Sequence, residues 1–285
     1  MNLELLFESF VREKKFLANV SEKTVGWYYQ SWKAFKRTVG TDKLDKPIIS
    51  EFMIRLRETG ISPCACNTYA RAINSFLTWL YENEHIPENW KIKKIKEEQK
   101  VIQTYSEAQI KAFLKWKPQG WYEWRMYALL CTLIDTGARI DRELLSLKWE
   151  KVDLDNCLIT LSGKGNKERI VPISLELRKV LCRWLGKNEN DLVFPTRDGH
   201  KMTYRNTLRD FDLLCARLGI TGVQTSFHIF RHTFAVNYVR SGGNLFYLQK
   251  ALGHTSLVMT RRYTELQTED LSLMHHKTSL LTRLK

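Results

Sequence analysis

Apolar positions recur at helical spacing through the first third of the chain. Leu3, Leu6, Phe7 and Phe10 form one stripe. Val25, Tyr28, Tyr29, Trp32 and Phe35 form a second, preceded by Ser21, whose hydroxyl suits a helix cap. Ile49, Phe52, Met53 and Leu56 form a third, and Tyr69, Ala72, Ile73, Phe76, Leu77 and Leu80 a fourth. Residues three and four apart share a helix face, so four short helices are predicted to close on one apolar core over residues 1–90. The next stretch carries Lys91, Lys93, Lys94, Lys96 and Lys100 and lacks a sustained apolar face. It reads as an exposed linker over 91–104. SEAQIKAFLKW after Tyr105 opens a capped helix and a second domain over 105–285, with a C-terminal tail from about 266.

The second domain is mostly helical by the same criterion, with one β element. CLITLS and ERIVPIS flank GKGNK, where glycines occupy turn positions, and predict a hairpin. The expected fold class is mainly α with a small β-sheet, in two domains. The chain carries neither an internal repeat nor a low-complexity tract.

Composition narrows the class. With 285 residues, 44% apolar and 27% charged, the chain has material for real cores and no case for wholesale disorder. A net charge of +14 suits a polyanionic partner, because each Lys or Arg that neutralises a phosphate releases a counterion. Charge alone does not separate such a protein from an ordinary basic one. The six cysteines (64, 66, 131, 157, 182 and 215) form no C-x-x-C pair and read as small hydrophobes in a reducing compartment. No zinc site or other metal is expected. No apolar run approaches the ~20 residues that span a bilayer, and Glu4 and Glu8 sit where a signal peptide would be basic. A cytoplasmic, nucleoid-associated location away from the membrane is expected.

Four separated pieces carry candidate chemistry: IDTGARIDRELLSL, SGKGNKERIVPI, SFHIFRHTFAV and LQKALGHTSLVMTRRYTEL. Singly, each has an ordinary reading. Arg139 could end a helix in solvent, Lys164 could sit exposed at a turn, and Tyr263 could be a packing residue. Together they describe phosphoryl transfer. Two guanidiniums can hold the non-bridging oxygens of a phosphodiester by bidentate bonds. Fixed cationic donors stabilise the charge that develops there. A tyrosine hydroxyl, with its ordinary pKa near 10, needs such neighbours and a base to become a nucleophile. A flexible lysine on a hairpin tip could protonate the leaving oxygen. No acidic cluster suited to Mg²⁺ accompanies these residues, so neither metal nor other cofactor is expected.

The order Arg…Lys…His-x-x-Arg…His…Tyr, carried by TGARI, SGKGNKERIVPI, HIFRH, LGH and RYT, resembles the tyrosine recombinase (phage integrase) family. ISPCACNTYARAINSFLTWLYENEHI resembles the end of that family's core-binding domain, and YSEAQIKAFL the start of its catalytic domain. The resemblance implies a C-shaped clamp of two domains around duplex DNA at a specific recombination site. It implies that Tyr263 attacks the phosphodiester to give a 3′-phosphotyrosyl link and a free 5′ hydroxyl. Arg139 and Arg231 would clamp the phosphate, Lys164 would be the general acid, His228 would assist proton transfer from the tyrosine, and His254 would donate to the phosphate. A homotetramer on two paired sites is implied, with accessory proteins left open. No arm-binding domain is expected, which points to an Xer-like, transposon-borne or small integrase type. Helices at 22–36 and 67–80 are expected in the major groove, with Arg71 and Asn74 as base readers. Lys91, Lys93 and Lys94 are expected along the backbone. The tail, with Leu271, Met274, Leu280, Leu281 and Leu284, is expected to pack on a neighbouring protomer.

One departure stands out. The family pattern is Arg-x-x-Glu-Leu, whereas Arg139 is followed by Ile140, Asp141, Arg142, Glu143 and Leu144, one residue more. An extra residue rotates a regular helix by about 100°. Either the helix starts late or bulges, or Asp141 replaces the usual glutamate. The alternatives to a recombinase are a type IB topoisomerase-like enzyme and a non-catalytic DNA-binding protein of the same fold. The helical bundle and the complete residue set weigh against both.

Overall fold

The computed structural model describes residues 2–40, 43–98, 102–163, 167–264, 275, 279 and 281. Lys164 and the tail residues Leu271, Met274, Leu280 and Leu284 lie outside the described residues. The chain divides into two compact units, residues 1–100 and 101–285.

In the first unit the four predicted stripes become α1 (Leu3–Phe16), α2 (Glu22–Val39), α3 (Lys46–Glu58) and α4 (Pro63–Glu82). Each begins on a side-chain cap. Asn2, Ser21, Asp45 and Ser62 accept the backbone N–H three residues on. The stripes face inward and bring aromatic rings together, except that Tyr29 is exposed and its hydroxyl donates to Glu8. Phe76 on α4 meets Phe7 edge-on at 5.3 Å between centroids, with Trp32 at 5.4 Å. Phe7 stacks on Trp32 at 4.8 Å. Each such buried ring contributes about 1.5–3 kcal/mol by leaving water.

The charged stretch after this bundle is docked on it. Trp90, Ile92 and Ile95 pack against the core. Asn74 donates to the Ile92 carbonyl at 2.9 Å and accepts the Ile92 N–H at 2.7 Å. Asn67 does the same with Ile95, both at 2.8 Å, and donates to Glu97. The two repeats match: seven helical residues rise ~10.5 Å, and three extended residues span ~10 Å. Two amides on one helix face therefore hold the strap much as a neighbouring strand would. Lys91, Lys93, Lys94 and Lys96 remain exposed on it.

The second unit starts with α5 (Glu107–Lys115), closed by a reciprocal cap between Ser106 and Gln109. The core helix α6 (Gly120–Thr136) follows. Then come a π-helical turn (Ile140–Leu144) and a three-stranded antiparallel sheet, β1 (Val152–Asp153), β2 (Leu158–Ser162) and β3 (Glu168–Pro172), in that order. The predicted hairpin is β2–β3, with Ser162 opposite Glu168. The short β1 was not predicted from the sequence. α7 (Leu175–Leu185), α8 (Tyr204–Arg217), α9 (Phe227–Arg240), α10 (Leu245–Leu252) and α11 (Leu257–Arg261) complete the unit. Phe113, Trp184, Phe211, Phe227 and Phe230 fill its core. The fold is mainly α with a small sheet, as expected. Among the described residues no helix is long and apolar enough to cross a membrane.

Candidate active site

Arg139 is placed by the end of α6. Gly137 caps that helix in the left-handed region at φ 59°, and a Cβ there would come within 2.5 Å of the Phe234 ring. Glycine thus lets α6 stop hard against α9. The π turn then absorbs the extra residue. Leu144 N–H bonds to the Arg139 carbonyl and Leu145 N–H to that of Ile140, both five residues back. The wider turn returns Glu143 to Arg139. Its carboxylate accepts the Arg139 backbone N–H at 2.7 Å and Nη1 at 2.9 Å. Asp141 lies 4.0 Å from Arg142, with its side chain partly exposed. The bulge is therefore the outcome, and Glu143 supports Arg139.

Glu143 has a second, stronger partner that sequence reading missed. Arg169 on β3 grips it with two parallel bonds of 2.6 and 2.8 Å, and its Nε donates to the Ala251 carbonyl at 2.7 Å. Gly253 makes this possible, since a Cβ there would lie 3.1 Å from Arg169 Cδ. A signal for Arg169 existed. Alternation along β3 puts it on the face of buried Val171, and an inward arginine needs a buried counter-ion. Burial would raise the Glu143 carboxyl, but Arg169 and Arg139 overcome it and hold the group below its ordinary value.

Arg231, on α9, is buried and donates to the Gly137 carbonyl at 2.9 Å and to that of Leu252. Both acceptors stand at helix C-termini, which favour a cation. Burial, then the nearby Arg139 guanidinium, push Arg231 down to about 9, and it keeps its charge at neutral pH. Three guanidiniums thus surround one carboxylate and leave an excess of positive charge. A groove of about 690 Å³ opens onto Arg139 and Arg169 and is lined as well by Gly163, His228 and His254.

His228 sits in the first turn of α9, exposed toward the groove. His254 follows the Gly253 cap of α10, and its Nδ1 lies 2.9 Å from the Thr260 hydroxyl. Burial, then Arg231 and Arg139, push it down to about 4, so its ring is neutral near pH 7. Tyr263 is 5% exposed, against Ala235, Val239, Leu248 and Leu252. Its ring lies parallel to that of His254, centroids 6.3 Å apart. Burial raises the phenol, and the charges of Arg231, Arg262 and Arg139 pull the other way without overcoming it. The hydroxyl lies 3.0 Å from Nδ1 of His232. His232 was also missed, although it is one helical turn from His228 and shares its face.

The structure therefore brings Arg139, His228 and His254 to one groove within the second unit, with Arg231 buried near Arg139 and Tyr263 buried beside His254. The predicted DNA-contacting residues belong to the first unit. Arg71 is exposed on α4, 3.3 Å from the Thr68 hydroxyl, and Lys91, Lys93 and Lys94 lie on the strap. Asn74 is engaged by its amide with Ile92.

Residues 103–270 match the phage integrase family. The chain belongs to that family, the tyrosine site-specific recombinases. It is 35% identical over 181 residues to the tyrosine recombinase XerD of Vibrio cholerae, an alignment covering 60% of each protein. It is 26% identical over 279 residues to the tyrosine recombinase XerC of Xanthomonas campestris, covering 94% of this chain and 86% of that one. Among solved structures the Tn1549 transposon integrase shares the fold, with a TM-score of 0.80 at 17% identity over 95% of this chain and 98% of that one.

Proposed function

We propose that this recombinase cuts and rejoins duplex DNA at specific sites through a covalent link to Tyr263. The observation that carries the reading is the excess charge beside the tyrosine: Arg139, Arg169 and Arg231 around a single Glu143. Such a cluster is matched by an anion, and a phosphodiester in the groove supplies one. Arg139 and Arg231 would hold its non-bridging oxygens. His254, whose Nδ1 lies 2.9 Å from the Thr260 hydroxyl, can donate to the same phosphate in the tautomer that carries the proton on Nε2. Tyr263 attacks, the 5′ oxygen leaves with a proton from Lys164, and His228 stands at the groove for proton traffic. The phosphotyrosyl bond conserves the energy of the broken one, so rejoining needs no ATP.

The Tn1549 integrase is known in complex with transposon right end DNA. For this chain we infer double-stranded DNA as well, with Lys91, Lys93 and Lys94 on phosphates and Arg71 toward bases. Asn74 contributes by holding the strap. We further infer a homotetramer on two paired sites, coupled by exchange of the tail after 266, with accessory proteins in some reactions. Its place would be the cytoplasm, at the nucleoid. A nicked suicide substrate tests the chemistry. Wild type is expected to trap a protein–DNA adduct on the 3′ phosphate, and Tyr263→Phe none. An adduct persisting in Tyr263→Phe would refute the assignment.

A further inference from the structure

The side chain at the Tyr263 hydroxyl is His232. Its Nδ1 lies 3.0 Å from Oη, with ring centroids 5.8 Å apart. His228 and His232 stand one turn apart on α9, flanking Arg231. The first is exposed at the groove, and the second is half-buried beside the tyrosine. A general base must lie within about 2.6–3.2 Å of the proton it takes, and His232 meets that condition. We propose that His232 is a catalytic residue, the group that accepts the Tyr263 proton during cleavage and returns it during rejoining. The proposal rests on Tyr263 being the nucleophile.

The step balances. The Oη–P bond forms as the P–O5′ bond breaks. The phenolic proton passes to His232 Nδ1, and the leaving 5′ oxygen takes a proton from the acid assigned to Lys164. Rejoining runs the same transfers backwards.

In the free protein the surroundings keep the ring unprotonated. The groups facing His232 are Arg262 beyond α11, His228 and Arg231 on α9, and Tyr263 itself. Burial, then Arg262, hold the ring down to about 4 and therefore neutral, with a free lone pair. A phosphodiester anion between Arg139 and Arg231 offsets part of that positive field and raises the basicity of the ring. The base then strengthens when substrate is in place.

The test is single-turnover cleavage of the nicked suicide substrate by His232→Asn and His232→Gln. Both amides can hold a hydrogen bond to Oη, but neither can take its proton. A loss of about 10²–10⁴-fold is expected. The residual rate should climb roughly tenfold per pH unit from pH 6 to 9, where wild type levels off, because solvent must then take the proton. A 5′-bridging phosphorothiolate, whose sulfur leaves without an acid, should restore Lys164→Ala and not the His232 variants. Cleavage by His232→Asn at the wild-type rate, or rescue of its defect by the phosphorothiolate, would overturn the proposal. So would loss of DNA binding in both variants, which would assign His232 to the fold alone. Absence of a Tyr263 adduct in wild type would instead sink the parent reading.

Discussion

Glu143 is the residue on which the site turns. Its side chain is fully buried and bonded by both Arg139 and Arg169. Removing one partner of a buried pair typically costs about 3–5 kcal/mol, because the other charges stay buried. Glu143→Gln is therefore expected to lose that much in urea unfolding at pH 7, and Asp141→Asn to stay within about 0.5 kcal/mol. The reverse order would mean that Asp141 is the true support. Because its partners depress the Glu143 carboxyl, its contribution is complete above the ordinary value of 4.5 and is lost as pH falls through the depressed one. The histidines act earlier on the same descent. His232 and His254 are lowered from 6.5 to about 4, so between these values the unfolded chain binds more protons. Thermal midpoints are expected to fall from pH 7 to pH 5, and His232→Gln to flatten that fall. An unchanged slope would contradict it. Arg139, His228, Arg231, His254 and Tyr263 were legible because their motifs are local. Arg169 and His232 were not chosen, because their partners Glu143 and Tyr263 are 26 and 31 residues away.

At the level of elements, amphipathic spacing was enough for α1 to α4, whose stripes, Tyr29 apart, lie on the buried faces. It failed for the strap, where lysines alternate with only two isoleucines and the anchoring comes from amides. Nothing in the charged run itself encodes Asn67 and Asn74, and only the coincidence of helix rise and strand span joins them. Asn67→Ala with Asn74→Ala is expected to expose the Ile92 and Ile95 amides to hydrogen exchange while α4 stays protected. Protection that survives would mean the isoleucines alone hold the strap. The π turn was open for a different reason. One inserted residue is compatible with a late start, a bulge or a substituted acid, and the bonds of Arg139 and Arg169 to Glu143 are long-range or geometric facts that the local sequence does not show.

At the level of the molecule, the net charge of +14 becomes a binding argument only once the site is known. Each phosphate contact contributes about −0.9 to the slope of log affinity against log salt. Replacing Lys91, Lys93 and Lys94 by alanine is expected to make that slope shallower by about 3, equally on specific and random duplexes. An unchanged slope would remove the strap from the DNA path. The proposed chemistry depends on one covalent bond. Wild-type protein trapped on a nicked duplex, digested and sequenced by mass spectrometry, should yield a single DNA-linked peptide with the 3′ phosphate on Tyr263. A link to another residue, or to the 5′ end, would contradict it.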